Sequence, residues 1–189
     1  MFIGDAVAGA VPKPILFASG KPEKLSGCNW AAATRLVCTI GGLSEYGGDI
    51  FGFSIVVSVD ADGQNQRVLS TRCGADALGL DLRGGSVIDY LPDENGVFLM
   101  MRSYVPEARI GSLVEKTAEG VGVDRIDTRT GAIKHVEGVQ RDAVEYITDG
   151  YGDVRIKGVA TPTSAGYEAG SVNYLYRLKD TRDWLPLST

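Results

Sequence analysis

The sequence predicts an all-β chain, and three observations carry that expectation. Apolar residues come in short runs with the alternating period of a strand, as in FSIVVSVD (Phe53 to Asp60), VFLMMRSY (Val97 to Tyr104) and NYLYRLKD (Asn173 to Asp180). Clusters of Gly, Asp, Asn and Pro separate these runs, and 25 glycines in 189 residues favour many turns over long helices. A polar–aromatic pair recurs at Asn29-Trp30, Asp89-Tyr90 and Glu145-Tyr146, with its aromatics 60 and 56 residues apart.

The elements follow in order. Residues 1–19, MFIGDAVAGAVPKPILFAS, read as a strand, a turn at Ala8 to Lys13 and a second strand at Pro14 to Ser19. Three longer units follow, at 27–71, 87–136 and 143–188. Each opens on the polar–aromatic pair, passes a turn-prone segment (AAAT, LPDENG, ITDGYGD) and enters an apolar strand (RLVCTI, VFLMMRS, VRIKGVA). A Gly-rich connection leads to a third strand, and a tight turn to a short fourth one (ADGQNQRVLS, TRTGAIKHVE, TRDWLPLS). Only SLVEKTAEG (Ser112 to Gly120) has helical character, with Ser112 and Glu115 spaced as a capping box; an irregular loop with one helical turn is the alternative.

Four strands per unit and three units are the pattern of propeller blades. The expected fold is a partial β-propeller, a single domain over 1–189 with half a blade at the N-terminus. Each recurring aromatic then lies on the first, inner strand of its unit, where blade-to-blade packing explains it better than ligand binding. Half a blade leaves an open strand edge, which folded proteins avoid, so a segment of a longer protein, or one whose start is misplaced, is expected.

Composition narrows the partners. Hydrophobic residues make up 44% of the chain, enough for a core. The net charge of −5 argues against nucleic acid and against a basic membrane anchor. No apolar run is long enough to cross a bilayer. The N-terminus lacks the basic start of a secretory signal, so the chain as written is placed in the cytoplasm, or in the periplasm or outside the cell if a signal was lost.

Chemistry-bearing residues are few. No metal or cofactor site is expected, because Cys28, Cys38 and Cys73 form no CxxC pair and His135 is the single histidine. His135 reads as an exposed strand residue rather than a base. Arg102 and Arg155 either face the central channel, where they would meet peptide carboxylates or carbonyls, or form inter-blade salt bridges; the second reading is preferred. Asp60, Asp62 and Gly63 form a DADG hairpin turn, without the downstream acids of a calcium loop. No Gly-x-Ser-x-Gly elbow is present, since GFSIV and GGSVI lack the second glycine. A hairpin centred near Ala33 places Cys28 opposite Cys38, as a disulfide if exported and as a pair of thiols, the preferred reading, in the cytoplasm. The long connections, Gly41 to Gly52, Arg72 to Ser86, Tyr104 to Val121 and Thr161 to Val172, all fall at one end of the units, where either a partner domain docks or the loops are tolerated surface insertions, two readings of equal weight.

The chain resembles the N-terminal β-propeller of bacterial serine peptidases of the prolyl oligopeptidase family. The carriers are ILFASGKPEKLSGCNWAAATRLVCTI, SVDADGQNQRVLS, GSVIDYLPDENGVFLMMRS, GVDRIDTRTGAIKHVEG, RDAVEYITDGYGDVRIKGVA and NYLYRLKDTRDWLPL. The resemblance implies an α/β-hydrolase domain as partner and a peptide as substrate, with the propeller restricting access. The family's catalytic residues have no counterparts here, so no peptidase activity is expected of this chain alone. The alternative function is a stand-alone interaction module that self-assembles through exposed blade edges.

Overall fold

The structure is a computed structural model that describes residues 1–70, 76–79, 81–108, 116–162 and 168–187. Among these residues the regular structure is β, apart from one 3-10 turn at Pro92–Glu94. A short pair, β1 (Phe2–Ile3) and β2 (Lys13–Pro14), comes first. Sheet 1 follows with β3 (Lys24–Ala32), β4 (Arg35–Tyr46), β5 (Asp49–Asp60) and β6 (Arg67–Val68). Sheet 2 holds β7 (Ser86–Leu91), β8 (Val97–Tyr104), β9 (Gly120–Asp127) and β10 (Ile133–Gln140). Sheet 3 holds β11 (Ala143–Thr148), β12 (Val154–Pro162), β13 (Glu168–Tyr176) and β14 (Leu185–Pro186). Consecutive strands pair antiparallel throughout, so each sheet is an open four-stranded meander.

Turn chemistry sets this order. Asp60 and Asp127 each close a third strand, and a glycine beyond each completes the reversal in the left-handed region, Gly63 at φ 89° and Gly131 at φ 74°. Gly63 N donates to Asp60 O at 2.8 Å and Gly131 N to Asp127 O at 2.9 Å. The DADG segment is therefore a hairpin turn, with Asp62 Oδ1 taking the Gln64 N–H at 2.9 Å.

Three apolar seams join the layers in sequence order. The first sets Ile15 and Leu16 against Leu36, Cys38, Ile40, Val57 and Val59 of sheet 1. The second joins Ala31, Val37, Val56 and Leu69 to Phe98, Met100 and Ile126 of sheet 2. The third joins Leu91, Leu99 and Val123 to Ala143, Tyr146 and Val154 of sheet 3. Strand β8 shows why the run VFLMM lacks polar alternation: Phe98 and Met100 face sheet 1 while Leu99 faces sheet 3, so both faces are covered.

Four expectations need correction or lie outside view. The segment Gly41 to Gly52 is not a loop, because β4 and β5 pair without a break to Tyr46 and Asp49 around the Gly47-Gly48 turn. Polar LSEY and GGD mask a ribbon whose two strands simply continue each other's ladder. Strand β2 is shorter than Pro14 to Ser19: backbone bonds to Met1 reach only Ile15 and Leu16, so Phe17 onward has no strand opposite. Of the helical candidate, residues 112–115 lie outside the described residues, while Lys116 to Glu119 are not helical and Gly120 opens β9. The last long connection is shortened from both sides by β12 and β13, and 163–167 lie outside the described residues, as does Cys73.

Candidate functional site

The recurring pair on β3, β7 and β11 splits its two side chains between the two faces of its sheet, since neighbours on a strand point oppositely. Tyr90 packs backward into the seam with sheet 1, its ring 6.3 Å from that of Phe98. Burial pushes its hydroxyl up, offset in part by the nearby Asn29 side chain. Tyr146 packs backward into the seam with sheet 2, and burial, with the charges of Glu137 and Asp142, pushes its hydroxyl up to about 12. The polar members face forward. Asn29 meets Tyr90 of the next sheet, and Asp89 Oδ2 accepts the Gly152 N–H of the next sheet at 2.9 Å.

At the two ends of the stack the same positions stay uncovered: the N-terminal layer packs on sheet 1 through Ile15 and Leu16 but leaves Trp30 exposed, and beyond sheet 3 no further sheet lies among the described residues. Trp30 lies opposite Leu36, on the outward face of sheet 1, and is 52% exposed. Blade packing is therefore the role of Tyr90 and Tyr146 but not of Trp30 within the described residues. Glu145 faces forward from sheet 3 and takes the hydroxyl of Tyr174 on its own sheet at 2.9 Å. Around it Ile147, Val172 and Tyr174 form an exposed apolar face.

Arg35 clamps the first two sheets and was not singled out from the sequence. It opens β4 in phase with Val37, so its side chain enters the seam and is only 1% exposed. Nη1 donates to Asp60 Oδ1 at 3.0 Å and Asn65 O at 2.8 Å, and Nη2 to Ser58 Oγ at 2.8 Å and Thr128 O of sheet 2 at 2.6 Å. The available signal was a charged residue in step with an apolar face. Asp60's carboxyl is held below its ordinary value by the Asn65 amide and by Arg35, with Arg129 adding to this against the cost of burial.

Among the described residues, the ion pairs of Arg102 and Arg155 lie within their own sheets rather than between blades. Arg102 sits beside Asp124 across β8 and β9, with Nη1 2.7 Å from Oδ2. Arg155 grips Asp149 and Asp153 of its own hairpin at 2.9 and 2.7 Å. Among the described residues, sheets 2 and 3 are instead bridged by the ion pair of Arg177 with Glu137, beside Lys157 donating to Gln140 Oε1 at 2.9 Å. Lys157 and Arg177 also stack on the Trp184 ring, 4.8 and 4.7 Å from its centroid.

His135 stands on the outer strand with its side chain 68% exposed, and its Nδ1 lies 2.7 Å from the buried Asp124 carboxylate. A carboxylate that orients a histidine is half of a nucleophile-activating relay. Here Asp124 is already engaged by Arg102 and by the Tyr104 hydroxyl at 2.5 Å. Burial and that carboxylate push the Tyr104 hydroxyl up. Among the described residues, the contacts of His135 are Asp124 and Tyr104, so no serine or cysteine nucleophile completes the relay. The cluster satisfies a buried acid and ties β8, β9 and β10 together.

Cys28 lies opposite Cys38, as the hairpin register requires, with Cα atoms 4.0 Å apart. The sulfurs are joined as a disulfide instead of the free thiols preferred for a cytoplasmic chain, because directly opposed positions bring the two Sγ atoms within bonding reach.

At the long-connection end, two of the expected loops meet. Leu78 N donates to Pro106 O at 2.8 Å and Ala108 N to Asp76 O at 2.7 Å, which ties the link between sheets 1 and 2 to the β8–β9 connection.

Comparison with protein families, curated proteins and solved structures finds no match to this chain. What fold and site define is a class: an all-β protein of successive four-stranded antiparallel sheets, joined by buried aromatics and arginine clamps, with Trp30 exposed on sheet 1 and an apolar face open on sheet 3.

Proposed function

We propose that this chain is a run of propeller blades, the non-catalytic segment of a prolyl oligopeptidase-like serine peptidase, which positions or gates peptides for an α/β-hydrolase domain. One observation carries the reading. Where a neighbouring sheet is present, the polar–aromatic pair packs its aromatic on the sheet before (Tyr90, Tyr146) and turns its polar residue to the sheet after (Asn29, Asp89). Trp30 is left exposed beside the short β1–β2 layer and Glu145 faces outward at the other end, which favours a fuller blade on the first side and a further blade on the second. The family assignment rests on the residue resemblance described above.

A second reading, a module that self-assembles, draws on the fact that one chain carries both open faces, Trp30 on one and Ile147, Val172 and Tyr174 on the other. Activity-based labelling and the surrounding reading frame separate the two. The isolated chain is expected to leave a fluorophosphonate probe unreacted, and the frame downstream to encode a Gly-x-Ser-x-Gly segment. Labelling of the chain itself would overturn the non-catalytic role. A stop directly after this segment, with a defined oligomer in solution, would replace the peptidase reading by the second one.

A further inference from the structure

We propose that the cleft between the β5–β6 and β9–β10 turns is a binding site for a small oxyanion, a phosphate or a carboxylate. The cleft has a volume of about 390 Å³ and is lined by Arg35, Asp60, Asn65, Gln66, Arg67 and Arg129. It lies at the short-turn end of the seam between sheets 1 and 2, away from the long connections. Three guanidiniums meet there in a chain whose net charge is −5.

The single lining carboxylate does not use up these cations. Asp60 gives Oδ1 to Arg35 and Oδ2 to the Asn65 amide at 2.6 Å, and it faces neither Arg67 nor Arg129 with a bond. Arg35 is fully committed to the clamp and serves as a fixed positive floor, apart from its Nε, which is buried without a partner. Arg129 spends one donor, Nη1, on Asn95 O at 2.6 Å and is held over Gly96, where an added Cβ would fall 2.6 Å from that nitrogen. Arg67 crosses from sheet 1 to lie against Gly131 of sheet 2, within 3.3 Å of where a Cβ would stand, and forms no hydrogen bond or ion pair with another described residue.

Two glycines thus leave the room in which two arginines lie flat. Each guanidinium carries five donors in a fixed fork suited to oxyanions, and most of those on Arg67 and Arg129 remain unspent. The volume admits a phosphate or a terminal carboxylate with a few further atoms, and excludes a folded protein segment. The site uses sheets 1 and 2 alone, so it stands or falls independently of the peptidase reading.

The test is titration of the full chain at constant ionic strength, followed by backbone amide NMR, with inorganic phosphate, with acetate, and with a tripeptide bearing a free or an amidated C-terminus. Saturable shifts confined to the two turns, 61–67 and 128–131, are expected, together with at least a tenfold loss of affinity in Arg67→Gln/Arg129→Gln. Both arginines are exposed, so this variant should keep the wild-type circular dichroism; if it unfolds, Arg67→Gln alone reads the same loss. Preference for phosphate assigns a free tetrahedral anion. Preference for the free-acid tripeptide over its amide assigns a peptide terminus. Non-saturable shifts, shifts elsewhere in the chain, or equal binding by the folded variant would overturn the proposal, leaving the blade reading untouched.

Discussion

Replacing Phe98 with alanine is expected to destabilise the chain by about 3–5 kcal/mol. Phe98 is fully buried on β8, where it fills the seam between sheets 1 and 2 with Ala31, Val37, Val56, Leu69, Met100 and Ile126, beside the Tyr90 ring. The seam is walled by two hydrogen-bonded sheets, which cannot close on the void as a loop would, so the cost belongs toward the upper part of that range. Urea unfolding with unchanged slope reads it. Val68→Ala, on the exposed edge strand β6, is the control and should stay within about 0.5 kcal/mol. Equal effects at the two positions would show that the sheets do not share this seam.

Arg35→Ala is the second large effect, at about 3 kcal/mol, the lower end of the range for breaking a buried ion pair, because Arg35 is buried while Asp60 is 23% exposed and keeps the Asn65 amide. It takes a charged donor from Thr128 O and Ser58 Oγ, which keep only their bond to each other, and from one oxygen of Asp60, in or beside the seam. Arg35→Met restores volume without donors and should recover only a minor part. The variant also alters the acid limb. Asp60 and Asp127 have folded-state values held below the ordinary 3.8, Asp127 first through the backbone N–H of Thr130. The unfolded chain therefore takes up protons first, so this stabilisation is complete above the ordinary value and is lost as pH falls through the lowered ones. Without Arg35, Asp60 loses part of its depression, and the fall in melting temperature below about pH 4 should be shallower. A variant with wild-type stability and wild-type acid response would contradict the clamp.

Much of the β architecture was legible because it is written locally. Alternation, glycine turns and the recurring pair each act within a few residues, and they mark the strands of all three sheets. The failures have physical causes of the same kind. The β4–β5 ribbon was hidden because a two-stranded extension exposed on both faces needs no apolar alternation, and LSEYGGD offers none. The disulfide was open because register brings Cys28 and Cys38 together whatever the redox state, and a bridge persists only in an oxidising compartment.

Sites made by long-range packing were beyond sequence. Arg35 reaches Thr128 across 93 positions, and the oxyanion cleft draws Arg35, Arg67 and Arg129 from three separate strands or turns. No spacing rule links such residues. Arg102 shows the converse. Its strand was located, but its partner, Asp124, depended on the exact opposition of β8 and β9.

The central claim is that one position on each first strand packs on the preceding sheet, and that in sheet 1 this position is open. Acrylamide quenching of a single tryptophan tests it most directly. In a Trp184→Phe background the probe stands at residue 30, or is moved to 90 or 146 by Trp30→Phe combined with Tyr90→Trp or Tyr146→Trp. The account predicts free quenching and red-shifted emission at 30, with strong protection at 90 and 146. Equal accessibility at all three positions, or protection at 30 alone, would contradict it.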